Sequence, residues 1–322
     1  MLLRKLTIGI MYAILFCLFG CLAEPSGQSD PKKFGPDPDP DPDPDAEPMS
    51  AAFYTLTGAH LRDEAWPDAW SEYSVFVCNA SLPAETVATA KESRPDARFL
   101  AYTNVADIYN GSLANPYWAA FHAAFDSTLY VRDLNTDTVV RLFGADGTPG
   151  SGHGYFVMRK PSADILVAFH RDVTLAAGFD GLYLDNCTAD VPNWRLDLLA
   201  GVSNRVDIDN DGVADPQTII PDVYGTWRPY YTEQLRAAVG PDRILVGNSG
   251  GALEDATLNG ITLEGVGDRF DVVEASNIFE SQRAVGTAPF LGVAWVTTPA
   301  SDLPTRELVP AVNGLHYGFI AE

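Results

Sequence analysis

Phe179-Asp180-Gly181-Leu182-Tyr183-Leu184-Asp185-Asn186 is the stretch on which the fold turns. It is short, apolar and aromatic, and a carboxylate closes it. Side chains on a strand alternate between faces, so Leu182 and Leu184 point one way and Tyr183 and Asp185 the other. Asn259-Gly260-Ile261-Thr262-Leu263-Glu264-Gly265 repeats the plan. There Ile261 and Leu263 pair with Leu182 and Leu184 in role, and Thr262 and Glu264 share the opposite face. The leucines and isoleucine suit a covering layer of helices, and the acids then face inward at the strand ends.

Strands of the same kind recur along the chain. Phe53-Leu56, Val75-Cys78, Phe99-Thr103, Gly181-Asp185, Ile244-Gly247, Ile261-Glu264, Gly292-Val296 and His316-Ala321 are strand-like. Helical spacing fills the gaps at Leu82-Lys91, Ser162-Ala177, Tyr230-Val239, Val272-Ala284 and the shorter Thr305-Asn313. Eight such units predict an α/β chain forming one parallel (β/α)8 barrel, a TIM barrel, over residues 51–322. A doubly wound open sheet is the alternative, but no glycine-rich phosphate loop follows the first strand. Two connections are long, at about 106–161 and 186–229. The first holds a helix at Tyr117-Phe125, a hairpin-like pair at Leu129-Val131 and Thr138-Leu142, and a glycine-rich turn from Gly147 to Gly154. Tyr155-Met158 can be counted as a strand in place of one of the eight.

The amino-terminal end has a different character. Arg4 and Lys5 precede an apolar run that ends Leu18-Phe19-Gly20-Cys21. That is the pattern of a signal peptide over residues 1–20 with a lipoprotein cleavage box; an ordinary secretory signal is the alternative. Cys21 would then be the first mature residue and carry the lipid. Residues 21–50 form a linker in which Pro36 to Asp45 read Pro-Asp five times over. Proline blocks regular pairing and the aspartates repel, so this spacer stays extended and disordered. Leu22 rather than aspartate follows Cys21, which by resemblance to known sorting behaviour suggests the outer membrane of a bacterial cell envelope. Whether the barrel faces the periplasm or the exterior stays open.

Net charge is −22, and most of it lies outside the linker. That excludes nucleic acid and anionic lipid surfaces as partners and leaves neutral or cationic glycans open. A monomer is expected. Cys78 and Cys187 are the cysteines of the folded part, and two buried thiols are expected, although the compartment permits a disulfide. No CxxC pair or Cys/His cluster predicts zinc.

The chemistry is read from the strand ends. Asp185 and Glu264 project into the barrel mouth at its C-terminal face, where barrel active sites lie. An inward charge at a strand tip needs a reason; one is capping of a helix or turn, another is the carboxylate pair that cleaves a glycosidic bond. Asp180 precedes its strand and serves a turn at the opposite end. Asn79, Tyr102, Asn104, Asn186, Asn248 and Trp295 are candidates to bind sugar hydroxyls or cover a pyranose ring. Asp207-Ile208-Asp209-Asn210-Asp211-Gly212-Val213-Ala214-Asp215 places Asp207, Asp209, Asp211 and Asp215 around a hard cation, with Gly212 at the sharp turn. Thr218 stands where an EF-hand has glutamate, so the match is to a shorter, structural calcium loop. No cofactor is expected for catalysis.

Gly178 to Asn186, reading Gly-Phe-Asp-Gly-Leu-Tyr-Leu-Asp-Asn, resembles the fourth-strand signature of the α-galactosidase superfamily of barrels. In style it is most similar to family 114 of the glycoside hydrolases, the endo-α-1,4-polygalactosaminidase type, and to related glycosyl-hydrolase-like barrels. Asn259 to Gly265 resembles the strand that carries their second acid. The resemblance implies Asp185 as nucleophile or base and Glu264 as general acid; many of these families have aspartate where Glu264 stands. It also favours retention over inversion, which strand spacing alone leaves open. The expected function is a lipid-anchored glycosidase acting on an extracellular or envelope polysaccharide. A carbohydrate-binding barrel without turnover is the alternative, and a structural envelope lipoprotein is a third.

Overall fold

The computed structural model describes residues 51–56, 68, 73–109, 113–125, 129–140, 153–155, 159–189, 205–266, 269–296 and 317–320. The chain separates into Met1–Ala46 and Glu47–Glu322, and all described residues belong to the second unit. The expected signal peptide, Cys21, the Pro-Asp linker and the helix Thr305-Asn313 lie outside the described residues. None of the described helices is long and apolar enough to cross a membrane.

Eight strands form one sheet: β1 (Ala51–Leu56), β2 (Val75–Asn79), β3 (Arg98–Asn104), β4 (Gly181–Asp185), β5 (Ile244–Asn248), β6 (Gly260–Val266), β7 (Leu291–Val296) and β8 (Tyr317–Ile320). They lie side by side in chain order and every neighbouring pair is parallel. A doubly wound sheet reverses its strand order partway, so the monotonic order removes that alternative. The sheet curls, and β1 and β8 bring Cα atoms within 8 Å of each other. Among the described residues no ladder joins these two strands, so what the structure shows of the expected (β/α)8 barrel is a curled eight-stranded parallel sheet.

Among the described residues, helices lie between β2 and β3, β3 and β4, β4 and β5, and β6 and β7. They are α1 (Ala84–Ser93), α2 (Pro116–Ala124), α3 (Lys160–Phe169), α4 (Ile220–Val239) and α5 (Val272–Val285). Local chemistry sets their ends. Asn115 accepts a hydrogen bond from Tyr117 N at the start of α2, and Asp271 from Glu274 N at the start of α5. After α3 the chain widens into a π turn and then tightens through a 3-10 turn to Gly178, whose φ of +100° ends the run. α4 begins ten residues before the expected Tyr230, because Pro221 sits in its first turn and Pro229 is accommodated inside it.

Two apolar layers flank the sheet, as strand alternation requires. Leu182, Leu184, Ile261, Leu263, Phe99 and Leu245 pack outward with helix residues such as Leu166, Tyr231 and Phe279. Val75, Val77, Leu100, Tyr183, Val246 and Val293 pack together on the inner face. Tyr155 belongs to the short strand His153–Tyr155, which pairs antiparallel with Asp107–Tyr109 away from the main sheet. The expected hairpin forms a few residues inward of its predicted first arm, between Arg132–Asp133 and Thr138–Val139. Val206–Asp207 adds a third antiparallel strand to it, so the two long connections are joined to each other.

Candidate active site

The inner-face residues at the C-terminal ends of β3 to β6 are Tyr102, Asn104, Asp185, Asn248 and Glu264. Parity with the buried inner residues Leu100, Tyr183, Val246 and Thr262 places them there. Asp185 is paired in register with Asn104, and Asn248 with Thr262. β5 runs between β4 and β6, so Asn248 stands between the two acids.

Its side chain spans them. Asn248 Nδ2 donates to Asp185 Oδ1 at 2.9 Å and to Glu264 Oε1 at 2.7 Å, which holds those two oxygens within the sum of the distances, 5.6 Å. Asp185 has two further donors. Asn186 N reaches Oδ1 at 2.8 Å, and the Tyr102 hydroxyl donates to Oδ2. The Tyr102 ring stacks on Tyr183, with centroids 5.9 Å apart. Asn186 adopts φ +55°, a conformation asparagine tolerates better than most residues. Its carbonyl accepts from the buried Tyr224 hydroxyl at 2.6 Å. The turn that aims an N–H at Asp185 is thus held from behind by α4.

Burial raises the Glu264 carboxyl above its ordinary range, and the nearby Asp185 charge raises it further, while Asn248 and Arg269 oppose the shift. Tyr183, beneath both acids, is pushed well above the usual phenol value by burial and then by the charges of Asp185 and Glu264. A carboxyl with raised affinity for its proton, beside a carboxylate fixed by three donors, is chemically an acid next to a base or nucleophile.

The other sequence candidates fall out as follows. Asn79 ends β2, where its Oδ1 accepts from Ser81 N at 2.9 Å and Ser81 Oγ at 2.7 Å. Asn104 Oδ1 accepts from Ala106 N at 3.0 Å. Both amide oxygens are therefore engaged in their own turns. Trp295 is paired through its backbone with Glu264. Asp180 lies at the opposite end, accepting from Lys91 Nζ at 2.6 Å and Phe99 N at 2.8 Å. Cys78 and Cys187 are free buried thiols, each pushed up to about 12 by burial. Asp207, Asp209 and Asp215 bring carboxylate oxygens within 4.8 Å of one another. Asp211 stands outside that group, with Oδ1 accepting from Val213 N at 2.7 Å. Tyr224 was not among the candidates. Tyr224, Trp227 and Tyr231 follow helical spacing, a signal masked by the prolines around them.

No family model matches the chain, and no curated protein matches it. Among solved structures the glycoside hydrolase domain of PelA from Pseudomonas aeruginosa is similar, with 14% identity and a TM-score of 0.46 over 79% of this chain and 86% of that one. A cycloisomaltooligosaccharide glucanotransferase from Paenibacillus sp., complexed with cycloisomaltoheptaose, shows 13% identity and a TM-score of 0.45 over 77% of this chain and 37% of that one. For α-L-fucosidase isoenzyme 2 from Paenibacillus thiaminolyticus the values are 14% and 0.42, over 77% and 40%. Likeness at this level assigns no role to any residue.

Proposed function

We propose that this chain is a glycoside hydrolase that cleaves O-glycosidic bonds of an extracellular or envelope polysaccharide. One observation carries the reading: one oxygen of each carboxyl group, Asp185 Oδ1 on β4 and Glu264 Oε1 on β6, accepts from the same amide nitrogen at 2.9 Å and 2.7 Å, which keeps the nearer edges of the two groups within 5.6 Å. A separation of about 5–5.5 Å is that of a retaining pair, whereas an inverting pair leaves room for water at about 6.5–9.5 Å. In the first step Asp185 forms a bond to the anomeric carbon as the bond to the leaving oxygen breaks, and Glu264 gives that oxygen its proton. In the second, Glu264 takes a proton from water, the water oxygen bonds to the anomeric carbon, and Asp185 leaves as carboxylate. Sugar binding by Asn104, Asn186 and Trp295, closure of the sheet into a barrel between β1 and β8, and a monomeric state belong to the same proposal.

The test is digestion of a polysaccharide panel by the full chain, with products read by mass spectrometry. Products are expected from at least one glycan. They should fall by about 10²–10⁴-fold in Glu264→Gln, the range of a general acid, and to background in Asp185→Asn. Cleavage that persists in both variants overturns the assignment. Glycan binding that survives both changes, without product from the unaltered chain, supports a binding barrel instead.

Lipid attachment at Cys21 and outer-membrane residence are likewise proposed; radiolabelled palmitate should be incorporated into the unaltered chain and lost in Cys21→Ser. Calcium is proposed as a structural ion. Oxygen ligands lie about 2.3–2.6 Å from calcium, so the 4.8 Å spread of Asp207, Asp209 and Asp215 fits one ion.

A further inference from the structure

An amide nitrogen carries two hydrogens and offers no acceptor. Asn248 uses one toward Asp185 Oδ1 and one toward Glu264 Oε1. The flipped amide would set its carbonyl oxygen against the ionised Asp185, so the hydrogen bonds themselves fix this orientation. Each contacted oxygen must therefore be an acceptor. When Glu264 holds its proton, Oε1 is the carbonyl oxygen and the proton sits on Oε2. Asp185 is also asymmetric. Oδ1 accepts from both Asn248 Nδ2 and Asn186 N, which fills its two lone-pair sites. Among the described residues Oδ2 accepts only the Tyr102 hydroxyl, which leaves one site open. Asn248 itself is only 8% exposed, so it lies beneath the acids rather than in the path of a sugar.

We infer that Asn248 is a positioning residue that selects the reacting atoms, so that Glu264 delivers its proton from Oε2 and Asp185 attacks through Oδ2. Asn248 leaves the set of sugar-binding candidates, and Tyr102 becomes the residue that steadies the attacking oxygen. The inference rests on the hydrolase reading for the meaning of attack and delivery, but the hydrogen-bond selection stands without it. Among the described residues, the ionisable groups facing Glu264 are Asp185 and Tyr183 on β4 and Arg269 after β6. None of them occupies the position of the Asn248 amide.

The experiment is infrared spectroscopy of the full chain, with 13C-labelled glutamate, in acid where Glu264 is protonated. Glu264→Gln identifies its carbonyl band. A carbonyl that accepts a hydrogen bond absorbs at lower wavenumber, so the band should move to higher wavenumber in Asn248→Ala and stay in place in Tyr102→Phe. A band that does not move in Asn248→Ala overturns the inference. If that variant does not fold, the unaltered chain with 15N-labelled asparagine serves. Its Asn248 amide protons should shift with pH at the same midpoint as the Glu264 band, and protons indifferent to that midpoint overturn the inference. No substrate enters either measurement. A missing hydrolytic activity would therefore defeat the hydrolase reading alone, and an unmoved band would defeat the positioning role alone.

Discussion

Glu264 carries a cost that its neighbours do not remove. Its carboxyl is raised by burial first and by the Asp185 charge second. A raised folded pKa contributes stability that is fully present below the unfolded value and is lost as pH rises through the folded one. At neutral pH that contribution is reduced, so the placement of Glu264 comes at the expense of the protein's own stability. Glu264→Gln keeps the shape and an oxygen for Asn248 to bind, and removes the charge. The variant should melt above the unaltered chain at pH 7, with the gap closing as pH falls toward about 4, near the ordinary glutamate value. Melting curves across that range check this. A variant that melts lower at pH 7 would mean that the Arg269 attraction outweighs burial. Stability given up at a strand tip is the usual mark of a working site. The two acids were legible in the sequence because each closes an alternating apolar strand. The bridging amide was legible only as a polar strand end, since nothing local in Ile244-Asn248 says that both neighbouring strands end in acids.

The strands that carry the acids are each opened by glycine, and the surrounding backbone explains why. A Cβ on Gly181 would lie 1.9 Å from the Ile244 carbonyl oxygen, and one on Gly260 would lie 1.7 Å from that of Leu291. The residue before each glycine makes further ties. Asp180 Oδ2 accepts from Phe99 N at 2.8 Å, and Asn259 Oδ1 accepts from Leu245 N at 2.8 Å and Arg236 Nη2 at 2.7 Å. Asp180-Gly181 and Asn259-Gly260 thus lock the start of each strand against its neighbours, which sets where its far end, and its acid, will fall. Alanine at either glycine should cost at least about 3 kcal/mol, the upper end for overpacking, because the obstacle is backbone that cannot rotate away. Gly225 in α4 is the contrasting case. A Cβ there meets nothing within 4 Å, so Gly225→Ala should stabilise by about 0.5–1 kcal/mol through helix propensity. Denaturant unfolding of the three variants would check both signs. An unaffected Gly260→Ala would mean that β6 and β7 can separate at their start. The eight strands were readable because alternation is a local signal. The first half of α4 was not, since its aromatic spacing is interrupted by Gly225 and bracketed by Pro221 and Pro229.

At the scale of the molecule, the two long connections do not act separately. Arg132 pairs with Asp207 and Asp133 with Val206, so the first connection is hydrogen-bonded to the loop that holds the acidic cluster. Pairing between two-residue strands some seventy positions apart leaves no periodic trace, which is why it was not visible in the sequence. The cluster sits in a chain of net charge −22, where added salt alone should raise stability by screening self-repulsion. Calcium bound at one place should do more than screen. Asp209 is raised above its ordinary range by burial and by the charges of Asp211, Asp215 and Asp207. By the same linkage, its ionised form is disfavoured in the folded chain at neutral pH without a cation. Two outcomes follow for the full chain. The melting temperature should rise more in calcium chloride than in sodium chloride of equal ionic strength, and chelator should reverse that excess. Asp209→Asn should melt higher than the unaltered chain in chelator, because a repelling charge is gone, and should respond less to calcium, because a ligand charge is gone. Equal rises in the two salts would reduce the loop to an acidic surface turn. A calcium response that persists undiminished in Asp209→Asn would move the ion to other carboxylates. The opposed signs of the two effects separate a bound ion from general screening, which would shift both proteins alike.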